Sequence, residues 1–115
     1  MTLEQTQLID VIGTDRQTGK VHLTISDHLP WDPDNQHLFV LQQKLNTYLA
    51  FIEGGEVYSS YPDAKSRDFV IKIVLRYRPD GEGVRFLELA KQTVENAAIE
   101  FHFGPLKRDY DSEDT

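Results

Sequence analysis

The sequence predicts an α+β domain: a two-layer sandwich in which a four-stranded mixed sheet carries two helices on one face, in the order ββαβαβ. Three observations point there. Residues 20–27 (KVHLTISD) and 69–78 (FVIKIVLRYR) alternate apolar and polar side chains, the period of strands packed on one side. Residues 32–53 (DPDNQHLFVLQQKLNTYLAFIE) instead repeat their apolar side chains with helical spacing. A strand that rejoins its sheet after a helix makes a right-handed crossover, so both helices can cover one face.

The elements follow in order. Residues 8–14 (LIDVIGT) predict a first strand, and DRQTG at 15–19 a turn, so that this segment and 20–27 form a hairpin with the first strand antiparallel at one edge. In the second strand Val21, Leu23 and Ile25 point inward, while Lys20, His22, Thr24 and Ser26 point outward. Asp32 is placed to cap the main helix, Pro33 suits its first position, and Gly54-Gly55 ends it. Its buried stripe is expected at Leu38, Leu41, Leu45, Tyr48, Leu49 and Ile52, and Trp31 supplies half of a hydrophobic staple. Residues 54–68 form the longest connection, with Glu56 to Ser60 expected as a short edge strand.

Phe69 to Arg78 reads as the central strand, stopped by Pro79. Asp80 caps a second helix to about Ala98, whose stripe is Phe86, Leu87, Ala90, Val94 and Ala97. Gly81 and Gly83 weaken its first turn by about a kilocalorie per mole each relative to alanine. Ile99 to Phe103 is the last strand, and Gly104-Pro105 closes it. Residues 1–106 are expected as one domain, followed by an acidic tail at 107–115.

Composition narrows the function classes. With 115 residues, no cysteine and a net charge of −7, disulfides, thiolate metal sites and cysteine nucleophiles are excluded, and a reducing cytoplasmic setting is expected. The N-terminal MTLEQTQLID lacks an apolar signal core, and no run is long and apolar enough to span a bilayer. The acidic balance argues against nucleic acid and makes a basic or neutral partner easier to accommodate, even the role of neutralising a basic toxin. Asp109, Asp111, Glu113 and Asp114 concentrate part of that charge in the tail.

Four groups of residues are candidates for function. The outward sheet positions Asp10, Ile12, His22, Thr24, Ser26, Val70, Lys72, Val74, Arg76, Glu100 and His102 would form an open face, equally explained as a solvated surface with cross-strand charge pairs. Together with Tyr58 and Tyr61 in the long connection, the residues His22, Thr24, Lys72, Arg76 and His102 make a candidate interaction surface. Phe39, Val40 and Phe51 lie away from the expected helix stripe and are candidate contacts of a homodimer. Finally His28, Asp32, Asp34 and His37, beside Asp27, offer imidazole and carboxylate groups of the kind that hold zinc or iron, although the spacing matches no ligand pattern and Asp32 is already a helix cap. Ser26, Asp27 and His28 are consecutive at a strand end and cannot converge as a triad. Gly81-Glu82-Gly83 is only the core of a dinucleotide motif, so no cofactor is expected.

The segments DVIGTDRQTGKVHLTISDHLPWD, LQQKLNTYLAFIEGGEVYSSYPDA and FVIKIVL resemble a family of small bacterial proteins defined as a domain of unknown function, over about Ile9 to Phe103. The resemblance implies a bacterial cytoplasmic protein and carries over no activity, cofactor or catalytic residue. The leading expectation is a non-enzymatic interaction module forming a homodimer. Its alternative is a small-ligand or metal-binding protein, or an enzyme, built on the His/Asp cluster at the start of the first helix.

Overall fold

A four-stranded mixed sheet and three α-helices make up the computed structural model, which describes Ile9, residues 11–31 and residues 36–105. Asp10, Asp32, Pro33, Asp34 and the acidic tail lie outside the described residues. Strand β1 (Val11–Thr14) runs antiparallel to β2 (Val21–Asp27), with Val11 opposite Thr24 and Thr14 opposite Val21. Asp15 shapes the turn between them: its carboxylate accepts from the Gln17 and Thr18 amides at 2.7 and 3.3 Å, and Gly19 takes a left-handed φ of 74°. Strands β3 (Phe69–Leu75) and β4 (Glu100–Pro105) add in parallel, giving the order β1-β2-β3-β4.

Each parallel step needs a helical crossover. Helix α1 (Gln36–Glu53) and the short α2 (Glu56–Ser60) fill the first, and α3 (Gly81–Asn96) fills the second. Their apolar sides join one core with Val21, Leu23 and Ile25 of β2, Ile71, Ile73 and Leu75 of β3, and Phe101 of β4. Asp80 caps α3 by accepting from the Gly83 amide at 2.7 Å.

Several local expectations differ from what the chain does. Glu56–Ser60 is a helix, not an edge strand: Gly55, at φ 83°, turns the chain out of α1, and one helical turn then buries Val57 while pairing its own backbone. A one-turn 3-10 segment, Pro62–Ala64, follows. Ile12 pairs with Leu23 and so faces the core, not the open side. The central strand ends at Leu75, opposite Asp27 of β2 and Pro105 of β4, and does not continue to Arg78.

Helix α1 is turned relative to its expected stripe. Its buried residues are His37, Leu41, Lys44, Leu45, Tyr48, Phe51 and Ile52, whereas Leu38 and Leu49 are half-buried. At 100° per residue, the centre of the buried side is displaced by roughly 50°. Phe51 is therefore a core residue, 8% exposed, and is not available as a dimer contact.

Ala98 holds φ 64° just past the end of α3, a left-handed conformation that costs a non-glycine residue about 1–2 kcal/mol. Glycine there relieves that strain and loses part of the gain to unfolded-chain entropy. Ala98→Gly is expected to stabilise the protein by roughly 0.5–1 kcal/mol, read as a higher urea midpoint at unchanged slope; a lower midpoint would contradict the cap geometry.

Candidate functional site

Asp27 continues the inward phase of Val21, Leu23 and Ile25, which delivers a carboxylate to the core at the C-terminal end of β2. The first turn of α1 answers it with His37. The Asp27 Oδ2 to His37 Nε2 distance is 2.5 Å, and the other Asp27 oxygen accepts from the Leu29 amide at 3.1 Å. His37 Nδ1 lies 3.2 Å from the Pro30 carbonyl. Both ring nitrogens thus face oxygen atoms of the same chain, and neither points to an open site. The pair is almost wholly buried, which makes it a fastening: removing one partner of such a pair typically costs about 3–5 kcal/mol.

Trp31 closes over this pair. Its ring stacks on the His37 imidazole, with centroids 3.8 Å apart and planes 29° from parallel, and its Nε1 donates to the Tyr77 carbonyl at 3.3 Å. On the other side it meets α3. A methyl group added at Gly83 would stand 2.7 Å from Trp31 Cζ3, so the glycine that weakens the helix is required by the indole beside it. A cleft of about 250 Å³ opens next to the pair, lined by Leu29, Pro30, Gln36, His37 and Val40. That is below the usual range of small-molecule sites, roughly 300–1,000 Å³.

Two of the four candidate metal ligands, His28 and His37, are among the described residues. His37 is committed to Asp27 and Pro30, His28 is exposed, and Asp32 and Asp34 lie outside the described residues. Among the described residues no group of three or more His, Cys, Asp or Glu side chains is arranged to hold an ion. Ser26 sits on the opposite side of β2 from Asp27.

The candidate interaction residues divide between two places. His22, Thr24, Lys72 and His102 share the sheet side turned away from the core, where Thr24, Lys72 and His102 form one cross-strand row. Arg76 follows β3, exposed, with its guanidinium 5.2 Å from the Tyr77 ring centroid. Tyr58 and Tyr61 are on the core side. The Tyr58 ring meets Phe69 edge-on, and the Tyr61 hydroxyl is 2.7 Å from Thr14 Oγ1, which donates to Asp63. Arg67 fastens the same connection by donating to the Gly19 carbonyl at 2.9 Å.

On the open side, Lys20 Nζ and His102 Nε2 hold the two oxygens of Glu100, at 2.8 and 2.5 Å. This strap crosses Val70, which is 1% exposed despite facing away from the core. The hydrogen bond from Lys20, aided by His102, lowers the Glu100 carboxyl to about 2 and raises the Lys20 amine.

A third feature escaped the local pattern. Lys44 is fully buried on α1, its ammonium 5.8 Å from the Tyr48 ring centroid, and the Tyr48 hydroxyl donates to the Thr24 carbonyl at 3.0 Å. With Lys44 inside, the outward side of α1 from Gln36 to Ile52 carries no charged residue. Phe39 is 56% exposed there. The neighbouring groove of about 250 Å³ between α1 and α3 is lined by Gln42, Leu45, Asn46, Leu49, Phe86, Leu89, Ala90 and Thr93, again uncharged.

A family model spans residues 1–107 of the chain. The chain belongs to the family of unknown function DUF6572. No curated protein and no solved structure matches it. Membership in DUF6572 therefore assigns no chemistry, and the arguments for function rest on the geometry. No described helix is long and apolar enough to cross a membrane.

The Glu100 strap has a measurable signature. Its carboxyl, ordinarily near 4.5, is depressed in the folded protein, so its stabilising contribution is present above the ordinary value and is lost as pH falls through about 2. An NMR titration of the Glu100 side chain is expected to show a midpoint near 2, moving back toward the ordinary range in Lys20→Met. A midpoint near the ordinary value in the native protein would show that the strap does not form.

Proposed function

We propose that this chain is a non-enzymatic protein-interaction module that works as a homodimer joined through the outer side of α1. This reading takes the domain as a two-layer sandwich, with both long helices on one side of the sheet. The observation that carries it is the outer side of α1, which bears no charge from Gln36 to Ile52 and meets one only at its last residue, Glu53, in a chain where 27% of residues are charged. Depletion of charge marks the core of protein interfaces. Two copies of a chain with net charge −7 repel over most of their surfaces, and an uncharged side is where they can meet without that cost.

The groups present suit a two-fold axis. Gln42 and Asn46 each donate and accept, so the same side chains can pair with their own copies, and Phe39 projects as an apolar knob near the Leu29, Pro30 and Val40 cleft. A stable interface buries roughly 600–1,000 Å² on each partner. A helix of 18 residues is about 27 Å long and supplies a few hundred of these, so the Phe86, Leu89 and Thr93 flank of α3 belongs to the contact. Leu89, 58% exposed, supports that extension. The competing reading, a small-ligand or metal-binding protein, is supported by the cleft beside His37 alone, whose ring nitrogens are already engaged.

Sedimentation equilibrium at micromolar concentration is expected to give about twice the 13.3 kDa chain mass for the native protein and the single-chain mass for Phe39→Asp, with unchanged circular dichroism. A native monomer, or a variant that still pairs, would remove the dimer.

A further inference from the structure

The open sheet side divides into a sealed half and an exposed half. In the sealed half the two Glu100 oxygens are held by Lys20 and His102, while Asp15 is engaged by its own turn and lies 3.8 Å from His22. The Glu100 and Asp15 carboxylates of this side therefore already have partners. The exposed half presents donors. Lys72 stands at its centre, exposed, with Thr24 beside it on β2 and His102 beside it on β4. No ion pair to Lys72 is formed among the described residues. In the next row Ser26 and Gly104 flank Val74, so the floor beside the ammonium is low and flat.

Thr24 is held firmly in place, since its carbonyl accepts from the Tyr48 hydroxyl below the sheet. An ammonium beside a hydroxyl, on a shallow platform whose nearest carboxylate, Glu100, is already held by Lys20 and His102, is complementary to a carboxylate. A single such cation on a chain of net charge −7 suits one or two carboxylates and not a polyanion, whose phosphates the rest of the surface repels. An extended segment can lie across the rows with its side chains reaching Lys72.

We propose that Lys72, with the Thr24 hydroxyl beside it, binds a carboxylate side chain of an acidic, extended segment of a partner protein laid across the open sheet face. The proposal rests on the reading of the chain as an interaction module and is independent of the dimer. It reverses locally what net charge suggests, because the field at the platform is set by the side chains within a Debye length and not by the whole chain.

The probe is a fluorescein-labelled octapeptide of alternating Glu and Ala, followed by anisotropy at low ionic strength, with the alternating Gln and Ala octapeptide as control. The Glu peptide is expected to bind saturably and roughly tenfold or more tighter than the Gln peptide, the scale of one charge-assisted hydrogen bond. Lys72→Met and Lys72→Glu should each remove that preference, with Lys72→Glu favouring a Lys and Ala octapeptide instead, while Phe39→Asp leaves the affinity unchanged. Because Lys72 is exposed, the variants are expected to keep the native thermal midpoint, which circular dichroism checks. Equal affinity for the Glu and Gln peptides, no saturable binding, or an unaltered preference in both Lys72 variants would overturn the proposal. Failure of the peptide to bind a protein that still dimerises leaves the interaction-module reading standing; failure of both removes the two together.

Discussion

A single column of contacts sets where both long helices begin. It runs from the Asp27 carboxylate through the His37 imidazole and the Trp31 indole to the backbone of Gly83. Asp27 ends β2, Trp31 lies in the connection, His37 is in the first turn of α1 and Gly83 is in the first turn of α3. The end of β2, the start of α1 and the connection between them are thereby stacked against the sequence-distant start of α3, at one end of the parallel strands. The polar end of the column is fully engaged and the aromatic end is closely packed, so a change at any level propagates to the next.

This arrangement consumes the chain's most reactive-looking groups in holding the fold together. Histidine and aspartate at the C-terminal end of a parallel strand would ordinarily suggest a site, because ligands of open α/β sheets collect there. Here both imidazole nitrogens face acceptors of the same chain, and the ring is covered by indole. On the proposed reading it is the surfaces that act. The outward side of α1 from Gln36 to Ile52 is uncharged because its lysine is inside, and on the open sheet side the Glu100 carboxylate is strapped by Lys20 and His102.

Much of the fold was legible because strand periodicity is a local property. The alternation in Val21–Asp27 and Phe69–Leu75 and the Asp80 cap each depend on neighbours within a few residues. What was not legible depends on partners far along the chain. His37 and Lys44 count as polar in any hydropathy pattern, which pulled the expected stripe of α1 toward Leu38 and Leu49 and left Phe51 on the wrong side. A signal for His37 did exist: Asp27 continues the buried phase of its strand, and a carboxylate in that phase requires a buried donor. Gly83 looked like a defect of α3 because helix propensity does not know of Trp31. Glu56–Ser60 was ambiguous for a different reason, since five residues are too few to separate a helical from an alternating pattern. Of the candidate sites, the open-face residues could be grouped by parity alone, whereas the separation of Tyr58 and Tyr61 from them followed from a helix that replaced a strand.

The column is tested most directly by a double-mutant cycle between Trp31 and Gly83 in chemical denaturation. Overpacking against the indole costs about 1–3 kcal/mol, and alanine gains about 1 kcal/mol of helix propensity over glycine. The account predicts that Gly83→Ala destabilises the native protein but becomes neutral or stabilising in a Trp31→Leu background, where the ring is gone. An equal effect of Gly83→Ala in both backgrounds would mean that the indole does not press on α3, and the column would not be what positions the helices.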